Sequence, residues 1–260
     1  MKRIPIYQVD AFASGVFSGN PAAVCPLDGW LEDRTLQAIA SENNLSETAF
    51  FVRDGAEYDL RWFTPAHEID LCGHATLASA FVIFEFLERG AKAVAFRSKS
   101  GPLAVQKEDG LLTLDFPARP PTRCETPAAL SEGLGVEPRE AWRSRDYMAV
   151  LGSEDEVRRL APRMEALERL DALGVIATAP GTGADFVSRF FAPRAGVPED
   201  PVTGSAHCTL IPYWAARLGK TRLKALQVSR RGGELTCELR GDRVAIAGRA
   251  ALYLEGVIQV

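Results

Sequence analysis

The stretch IDLCGHATLASAFVIF, residues 69–84, joins a Cys-Gly-His triplet to a long run that contains no Asp, Glu, Lys or Arg. The uncharged run covers residues 71–84, which is 14 residues, whereas a membrane-spanning helix needs about 20. A helix over this run is apolar on nearly every face, which indicates that protein encloses it. The triplet allows three interpretations: a nucleophilic Cys72, a metal site that uses Cys72 and His74, or only the start of a buried helix.

A second stretch repeats this pattern about half a chain later. FTPAHEIDLCGHAT is followed by FAPRAGVPEDPVTGSAH, and both contain Phe-x-Pro, a polar loop, and then Gly-His-Ala or Gly-Ser-Ala. Each opens a predicted apolar helix, over residues 74–89 and 205–217, and a glycine stop follows each helix. Gly73 and Gly204 are 131 residues apart in a chain of 260, a spacing that favours an internal duplication.

Short apolar or alternating runs bounded by Gly, Pro, Asp or Asn dominate the rest of the chain, and they are typical of strands. Two further helices are predicted, in DRTLQAIASENN and in SEDEVRRLAPRMEALERL. The pattern predicts an α+β fold of two pseudo-symmetric lobes, each a β-barrel-like sheet around a central buried helix. A Pro-rich linker at 116–127 divides the chain into lobes 1–116 and 117–260, and the last strand, about 250–260, is free to pack back on the N-terminal lobe.

The composition argues against several classes of partner. The 34 acidic and 30 basic residues give a net charge of −4 and are spread along the chain, so no basic stripe is available for nucleic acid and no polybasic segment for a membrane. The N-terminal MKRIPIYQVDAF lacks the apolar region of a signal peptide. Five scattered cysteines without a CxxC pair suit a reducing compartment. We therefore expect a cytoplasmic protein.

The two glycine-led helix starts are the first candidate binding groups. The first amides of a helix have no acceptor within it, and the helix dipole adds partial positive charge there. Glycine allows a ligand to approach such a backbone closely. Facing termini at Gly73-His74 and Gly204-Ser205 would bind a small anion such as a carboxylate. The alternative is that both glycines only form tight turns.

Glu47 and Asp200 have roles that local sequence leaves open. Glu47, in NNLSETAFF, lies where a predicted helix gives way to a strand, and a carboxylate entering an apolar neighbourhood can carry a proton. It could equally be an exposed residue at a strand edge. Asp200 precedes Pro201 in the loop before the second apolar helix. It could orient and charge-stabilise His74, or it could stabilise its own turn.

The spacing of histidine and cysteine argues against a metal. One residue separates Cys72 from His74, which matches none of the usual ligand spacings of two to four residues. His207 and Cys208 are adjacent, so on a helix they point in different directions. Cys72 also precedes a helix N-terminus, where thiols become reactive. The duplicate of Cys72 is Thr203, however, so a relay of two thiols is not available.

Four motifs, in this order, carry a resemblance to a known family: VDAF with FSGNPAAV, NLSETAF, LRWFTPAHEIDLCGHATLASAFV and EDPVTGSAHCTLIPYW. Together they resemble the phenazine-biosynthesis PhzF-like isomerases, over about residues 4–256. The paired glycine loops are more distantly similar to those of diaminopimelate epimerase. The resemblance implies two lobes with the active site between them, proton transfer without a cofactor, and a homodimer.

The resemblance also implies roles for individual residues. Glu47 matches the family's general acid/base, and His74 and Asp200 match its supporting polar pair. Ser205 matches a hydroxyl that positions substrate, and Asn20 matches a motif near the pocket. The backbone amides in the substrate-holding positions are those of Gly73, His74, Gly204 and Ser205.

Three functions follow from these features. The first is a cofactor-independent isomerase that moves a proton on a small carboxylate-bearing metabolite, with Glu47 as acid and base. The second is a racemase or epimerase that uses Cys72 with another base. The third is a binding protein without catalytic activity that keeps the pocket to sense a small molecule.

Overall fold

The computed structural model describes all 260 residues, and the chain divides into two compact units. Unit 1 contains Met1–Asp115 and Ala247–Val260, and unit 2 contains Phe116–Ile246. Strands outnumber helices throughout, which confirms the predicted α+β class. No helix in the structure combines the length and the apolarity that crossing a membrane requires.

Unit 1 is built on one continuous series of paired strands and two helices. Its strands are β1 (Arg3–Ala11), β2 (Asn20–Leu27), β3 (Glu47–Asp54), β4 (Glu57–Phe63), β5 (Glu68–Ile69), β6 (Ala93–Ser98), β7 (Gly101–Glu108), β8 (Leu111–Pro117) and β18 (Ala250–Gln259), and its helices are α1 (Asp33–Asn43) and α2 (Gly73–Val82). The pairing order is β18–β1–β2–β3–β4–β6–β7. The pairs β2–β3 and β4–β6 are parallel, and the others in this series are antiparallel.

Unit 2 contains the remaining elements. Its strands are β9 (Thr122–Cys124), β10 (Glu140–Arg143), β11 (Tyr147–Val150), β12 (Val175–Pro180), β13 (Phe186–Ala192), β14 (Val197–Asp200), β15 (Arg222–Gln227), β16 (Gly233–Arg240) and β17 (Arg243–Gly248), and its helices are α3 (Ala128–Leu134), α4 (Glu154–Arg159), α5 (Met164–Leu167) and α6 (Gly204–Leu218). The order β9–β10–β11–β12–β13–β15–β16 has parallel pairs at the same two places as unit 1. This shared order is what an internal duplication produces.

The enclosed helix of unit 1 is α2. It contacts β1, β2, β3 and β18, and eight of its ten residues are buried. Its two hydroxyl side chains donate to carbonyls one turn back, from Thr76 to Cys72 and from Ser79 to Ala75, so no hydroxyl in this apolar helix lacks a partner. The chain continues into one π-helical turn, Ile83–Leu87, so the helical segment ends two residues before the predicted limit of 89.

The enclosed helix of unit 2 is α6, which packs against β15 and β16 and ends at Gly219 in the left-handed conformation. Pro212 lies inside this helix and cannot donate to the carbonyl of Cys208. The backbone N–H of Arg119 donates to that carbonyl instead, at 2.8 Å. The linker predicted from its prolines therefore also completes the hydrogen bonding of α6.

The other two predicted helices differ in outcome. The segment DRTLQAIASENN forms α1, and Asn44 ends it in the left-handed conformation. The segment SEDEVRRLAPRMEALERL forms two short helices, α4 and α5, because Pro162 interrupts the pattern. Ser153 caps α4 by accepting from the N–H of Glu156, and the Glu156 side chain accepts from the N–H of Gly152.

Candidate active site

The parallel pairing of β2 and β3 brings two predicted site residues to one end of the sheet. Ala22 is the register partner of Glu47, so the first residues of both strands lie at the same edge. Asn20 begins β2 and is fully buried, and Glu47 begins β3 with a side chain that is 14% exposed. Glu47 is therefore mostly buried, and the interpretation as an exposed strand-edge residue is wrong.

Gly19 controls how the chain enters β2 at Asn20. Its φ is +70°, a conformation that favours glycine, and a Cβ at this position would lie 2.2 Å from the carbonyl oxygen of Ala11. No other residue fits without moving the backbone. The glycine of the SGNP motif thus has a structural reason, which is to deliver Asn20 to the site.

Cys72, Gly73 and His74 form the start of α2 at this same place. Cys72 is the N-cap in extended conformation, and no side chain caps the helix. The carbonyl of Cys72 accepts from the N–H of Thr76 at 3.1 Å, as the first hydrogen bond of the helix. The amides of the first turn have no acceptor within the helix, so this terminus has the chemistry of an anion-binding group.

His74 is the centre of the cluster and is 5% exposed. Its Nε2 lies 2.9 Å from Oε2 of Glu47, and its Nδ1 lies 3.1 Å from Nδ2 of Asn20. The sulfur of Cys72 lies 3.5 Å from Nδ1 and 3.9 Å from Nε2. The structure therefore gathers Asn20, Glu47, Cys72 and His74, residues from three separate segments, around one imidazole.

The charges in this cluster depend on one another. Burial alone would lower the pKa of His74, but the sulfur of Cys72 and the carboxylate of Glu47 raise it well above its ordinary value. Burial and the charge of Glu47 raise the pKa of Cys72 to about 11. Cys72 is consequently a neutral thiol near pH 7, so we assign the raised pKa of His74 to Glu47. A neutral buried thiol is a poor nucleophile.

The same cluster contains the atoms that could hold a metal ion. One ligand atom each from Glu47, Cys72 and His74 lie within 4.8 Å of one another. The prediction of no metal compared only residues that are close in the chain, and Glu47 is absent from that comparison. Carboxylate, thiolate and imidazole are the ligand types that zinc prefers.

In unit 2, the loop before α6 is held by a side chain that the sequence analysis did not select. Gln227, at the end of β15, accepts from the N–H of Thr203 at 2.8 Å and donates to the carbonyl of Asp200 at 2.7 Å. Asp200 accepts from the hydroxyl of Thr203 at 2.5 Å, which is the turn-stabilising contact that the sequence left as one alternative. A signal for Gln227 existed, because the alternation of β15 places it on the buried side with Leu223 and Ala225.

Ser205 lies in the first turn of α6 and has a cationic partner. Nη2 of Arg145 donates to its hydroxyl at 3.0 Å and also to the buried carboxylate of Asp146 at 3.1 Å. A guanidinium beside a helix N-terminus adds to the positive potential there. Arg145 lies in the turn between β10 and β11, and no local pattern in RSRDY indicates that it reaches α6.

His207, also on α6, makes the stability of the folded protein depend on pH. It is fully buried, its Nδ1–H donates to the carbonyl of Thr203 at 2.8 Å, and its Nε2 has no partner. Burial lowers its pKa to about 4, from an ordinary value of 6.5. Between pH 6.5 and 4 the unfolded chain therefore binds more protons, so the free energy of unfolding falls as the pH falls.

We expect a His207→Gln variant to lose this part of the pH dependence, because glutamine does not titrate and can still donate to Thr203. The lost slope amounts to at most about 1.4 kcal/mol per pH unit. Denaturant unfolding at several pH values between 4 and 6.5 measures it. The matched control is His67→Gln, because His67 is an exposed histidine of unit 1. Parallel pH profiles for wild type and His207→Gln would contradict the assignment.

Comparisons with known proteins agree over the whole chain. A family model described as phenazine biosynthesis-like protein, PhzC-PhzF, matches residues 9–256. An uncharacterized isomerase of Pseudomonas aeruginosa is 53% identical over 257 residues, which are 99% of both chains. A crystal structure of a PhzF-family phenazine biosynthesis protein from Enterococcus faecalis is 51% identical, with a TM-score of 0.98 and full coverage of both chains. The chain therefore belongs to the PhzC-PhzF family of phenazine biosynthesis-like proteins.

A more distant likeness concerns the fold alone. The structure of a predicted epimerase from Pseudomonas aeruginosa is 19% identical, covers 99% of each chain and superimposes with a TM-score of 0.73. The family resemblance and the epimerase-like α+β fold expected from the sequence are thus confirmed. The roles assigned to individual site residues stay predictions.

Proposed function

We propose that this protein is a cofactor-independent isomerase that moves a proton on a small carboxylate-bearing metabolite, with Glu47 as general acid and base. The observation that carries the proposal is the mostly buried Glu47 carboxylate, 2.9 Å from Nε2 of His74 at the start of α2. Two relatives at 53% and 54% identity are named isomerases, which supports the reaction class.

His74 supports Glu47 by holding one of its oxygens in place. Asn20 contacts Nδ1 of the imidazole and restrains the ring, while Nε2 faces Oε2 of Glu47. A carboxylate has two oxygens, so the second can accept a proton from carbon and return it to another carbon of the same substrate. No atom or electron is gained or lost overall, and the reaction is an isomerisation. Partial exclusion of water strengthens the electrostatic interactions that stabilise the transition state.

The backbone of the α2 N-terminus supplies the second part of the mechanism. We propose that the amides of Gly73 and His74 bind the substrate carboxylate. They lie beside Glu47 in the first turn of α2, a helix whose N-terminus has no side-chain cap. The same groups would stabilise negative charge that develops when the proton leaves carbon. The roles of Asp200, Gly204 and Ser205, like the homodimer and the cytoplasmic location, remain predictions from the family resemblance.

The proposal is tested by measuring the exchange of carbon-bound hydrogen with solvent. A panel of candidate substrates is used instead of a single compound. Wild-type protein is incubated in D₂O with small carboxylates that have acidic C–H bonds, and mass spectrometry and NMR measure deuterium at carbon. We expect incorporation together with an isomeric product in at least one reaction, and none with heat-denatured protein. Carboxylate binding seen by calorimetry without any exchange would overturn the proposal and favour a small-molecule sensor.

A Cys72→Ala variant separates the isomerase from the Cys72-dependent racemase or epimerase. We expect the variant to keep the exchange rate of the wild type within a few-fold, because Cys72 is a neutral thiol with a pKa of about 11. The same D₂O assay measures the rate. Cys25→Ala, another buried cysteine in unit 1, is the matched control for effects on packing. Loss of exchange in Cys72→Ala alone would transfer the role of base to Cys72.

A further inference from the structure

The cluster formed by Glu47, Cys72 and His74 has a property that proton transfer does not require. These three side chains offer an oxygen, a sulfur and a nitrogen, which together make a ligand set suited to a borderline-soft divalent cation. We infer that this cluster binds a zinc ion and that bound zinc inhibits the protein reversibly. Zinc binding is inferred from the cluster alone. Inhibition by zinc rests on the proposed function.

The three ligand atoms are close enough to surround one tetrahedral ion once the Cys72 side chain rotates. Ligand atoms about 2.0–2.3 Å from a tetrahedral zinc lie about 3.3–3.6 Å from one another. In the structure, Nε2 of His74 lies 2.9 Å from Oε2 of Glu47 and 3.9 Å from Sγ of Cys72. The sulfur of Cys72 also lies 3.5 Å from Nδ1, so it flanks the imidazole ring, and a rotation of the Cys72 side chain toward Nε2 would be needed to complete the tetrahedral geometry.

Burial and the negative charge of Glu47 favour occupancy of this site. Cys72 is 6% exposed and His74 5% exposed, so water competes weakly for the ion. Oε2 of Glu47 is buried, and Nε2 of His74 lies 2.9 Å from it as its ion-pair partner. A divalent cation between these two atoms would bind the carboxylate oxygen and the deprotonated ring nitrogen, and so would replace their ion pair.

Asn20 supplies the outer shell that such sites need. A histidine that binds metal through one ring nitrogen normally donates the other N–H to a fixed partner. The carboxamide of Asn20 lies 3.1 Å from Nδ1 of His74, and rotation of an amide presents its oxygen to that N–H. Asn20 is fully buried, so its position is well restrained.

Inhibition follows from the identity of the ligands. The oxygen of Glu47 that would bind zinc belongs to the carboxylate proposed to carry the proton, and a metal-bound carboxylate is a weak base. Coordination also displaces the thiol proton of Cys72 and the Nε2 proton of the charged His74, and both protons pass to solvent. The zinc is therefore a competitor for the proton-transfer site and has no part in the reaction.

Direct titration tests zinc binding. Metal-stripped protein, kept reduced with a phosphine, competes for Zn²⁺ with a chromophoric chelator, and Co²⁺ reports thiolate ligation by its near-ultraviolet absorption. We expect one ion per chain and a charge-transfer band in wild type. Cys72→Ser should lose the band and lose more affinity than the about 10- to 100-fold typical of outer-shell changes, and Asn20→Ala should fall within that outer-shell range.

Cys124→Ser is the matched control, because Cys124 is a half-buried free cysteine in unit 2. It should keep wild-type zinc affinity. Equal affinity in wild type and Cys72→Ser would overturn the site, as would a Co²⁺ complex of wild type without the thiolate band.

The D₂O exchange assay tests whether bound zinc inhibits the protein. One equivalent of Zn²⁺ should suppress exchange by wild type, a chelator should restore it, and Cys72→Ser should resist the ion. Full exchange by zinc-loaded wild type would overturn the inhibition. If wild type catalyses no exchange with any substrate, the proposed function fails, whereas the chelator titration still decides whether the ion binds.

Discussion

Replacement of Glu47 by glutamine is expected to lower the rate of deuterium incorporation by about 10²- to 10⁴-fold, the contribution usual for a positioned acid or base. Glutamine has the shape of glutamate and keeps an oxygen that Nε2–H of His74 can reach, so the site is preserved. It cannot accept a proton at neutral pH, so the proposed transfer stops. The exchange rate in D₂O under identical conditions, for wild type and Glu47→Gln, measures the effect.

Glu68→Gln is the matched control for this experiment. Glu68 is another glutamate of unit 1, 16% exposed, and it forms ion pairs with Arg61 at 2.7 Å and with Lys99 at 2.6 Å. Glu68→Gln therefore removes the charge of a similarly buried glutamate, together with two ion pairs, at a residue without a proposed role in proton transfer. Circular dichroism on both variants establishes that each is folded. Equal deuterium incorporation by Glu47→Gln and wild type would show that Glu47 is not the base.

Replacement of Trp214 by alanine is expected to reduce the free energy of unfolding by about 3–5 kcal/mol. Trp214 lies on α6, is 1% exposed, and stacks on Phe186 with ring centroids 5.7 Å apart and planes 2° from parallel. Its Nε1–H donates to the buried hydroxyl of Thr178 at 3.0 Å. Alanine would leave a cavity beside Phe186 and would remove the donor to Thr178, and both effects destabilise the folded state.

Denaturant unfolding followed by circular dichroism measures this loss. Trp30→Ala is the control, because Trp30 is 39% exposed and the guanidinium of Arg61 lies over its ring, 5.3 Å from the centroid. A cation–π contact at an exposed site is worth about 0.5–1 kcal/mol, so this variant should lose no more than that. Similar losses in both variants would contradict the enclosed position of α6.

The local sequence is sufficient to predict the two enclosed helices. Residues 71–84 and the segment around Trp214 lack a polar stripe, and such helices need protein on every side. Gly219 ends α6 as predicted, since a left-handed C-terminal residue favours glycine. Pro162 is a local signal for the interruption between α4 and α5. The apolar period continues past this proline, which is why the sequence predicts one longer helix.

Local sequence patterns predict less about the residues of the candidate active site. Glu47 could be chosen as base only through the family resemblance, since its local sequence fitted an exposed strand edge equally well. Asp200 was left between two roles, and the structure shows its contact with Thr203. Arg145 was missed because a turn sequence carries no information about a partner 60 residues away.

Patterns along this chain are enough to establish the α+β class, the repeated glycine-led helices and the family, because apolar periodicity, glycine stops and motif order are properties of neighbouring residues. The gathering of Asn20, Glu47, Cys72 and His74 around one imidazole is a property of the fold. It depends on the parallel register of β2 and β3, in which Ala22 pairs with Glu47, and on the packing of α2 against those strands. Strand register is set by non-local packing of side chains, so the ligand set and the ion pair appear only once the chain is folded.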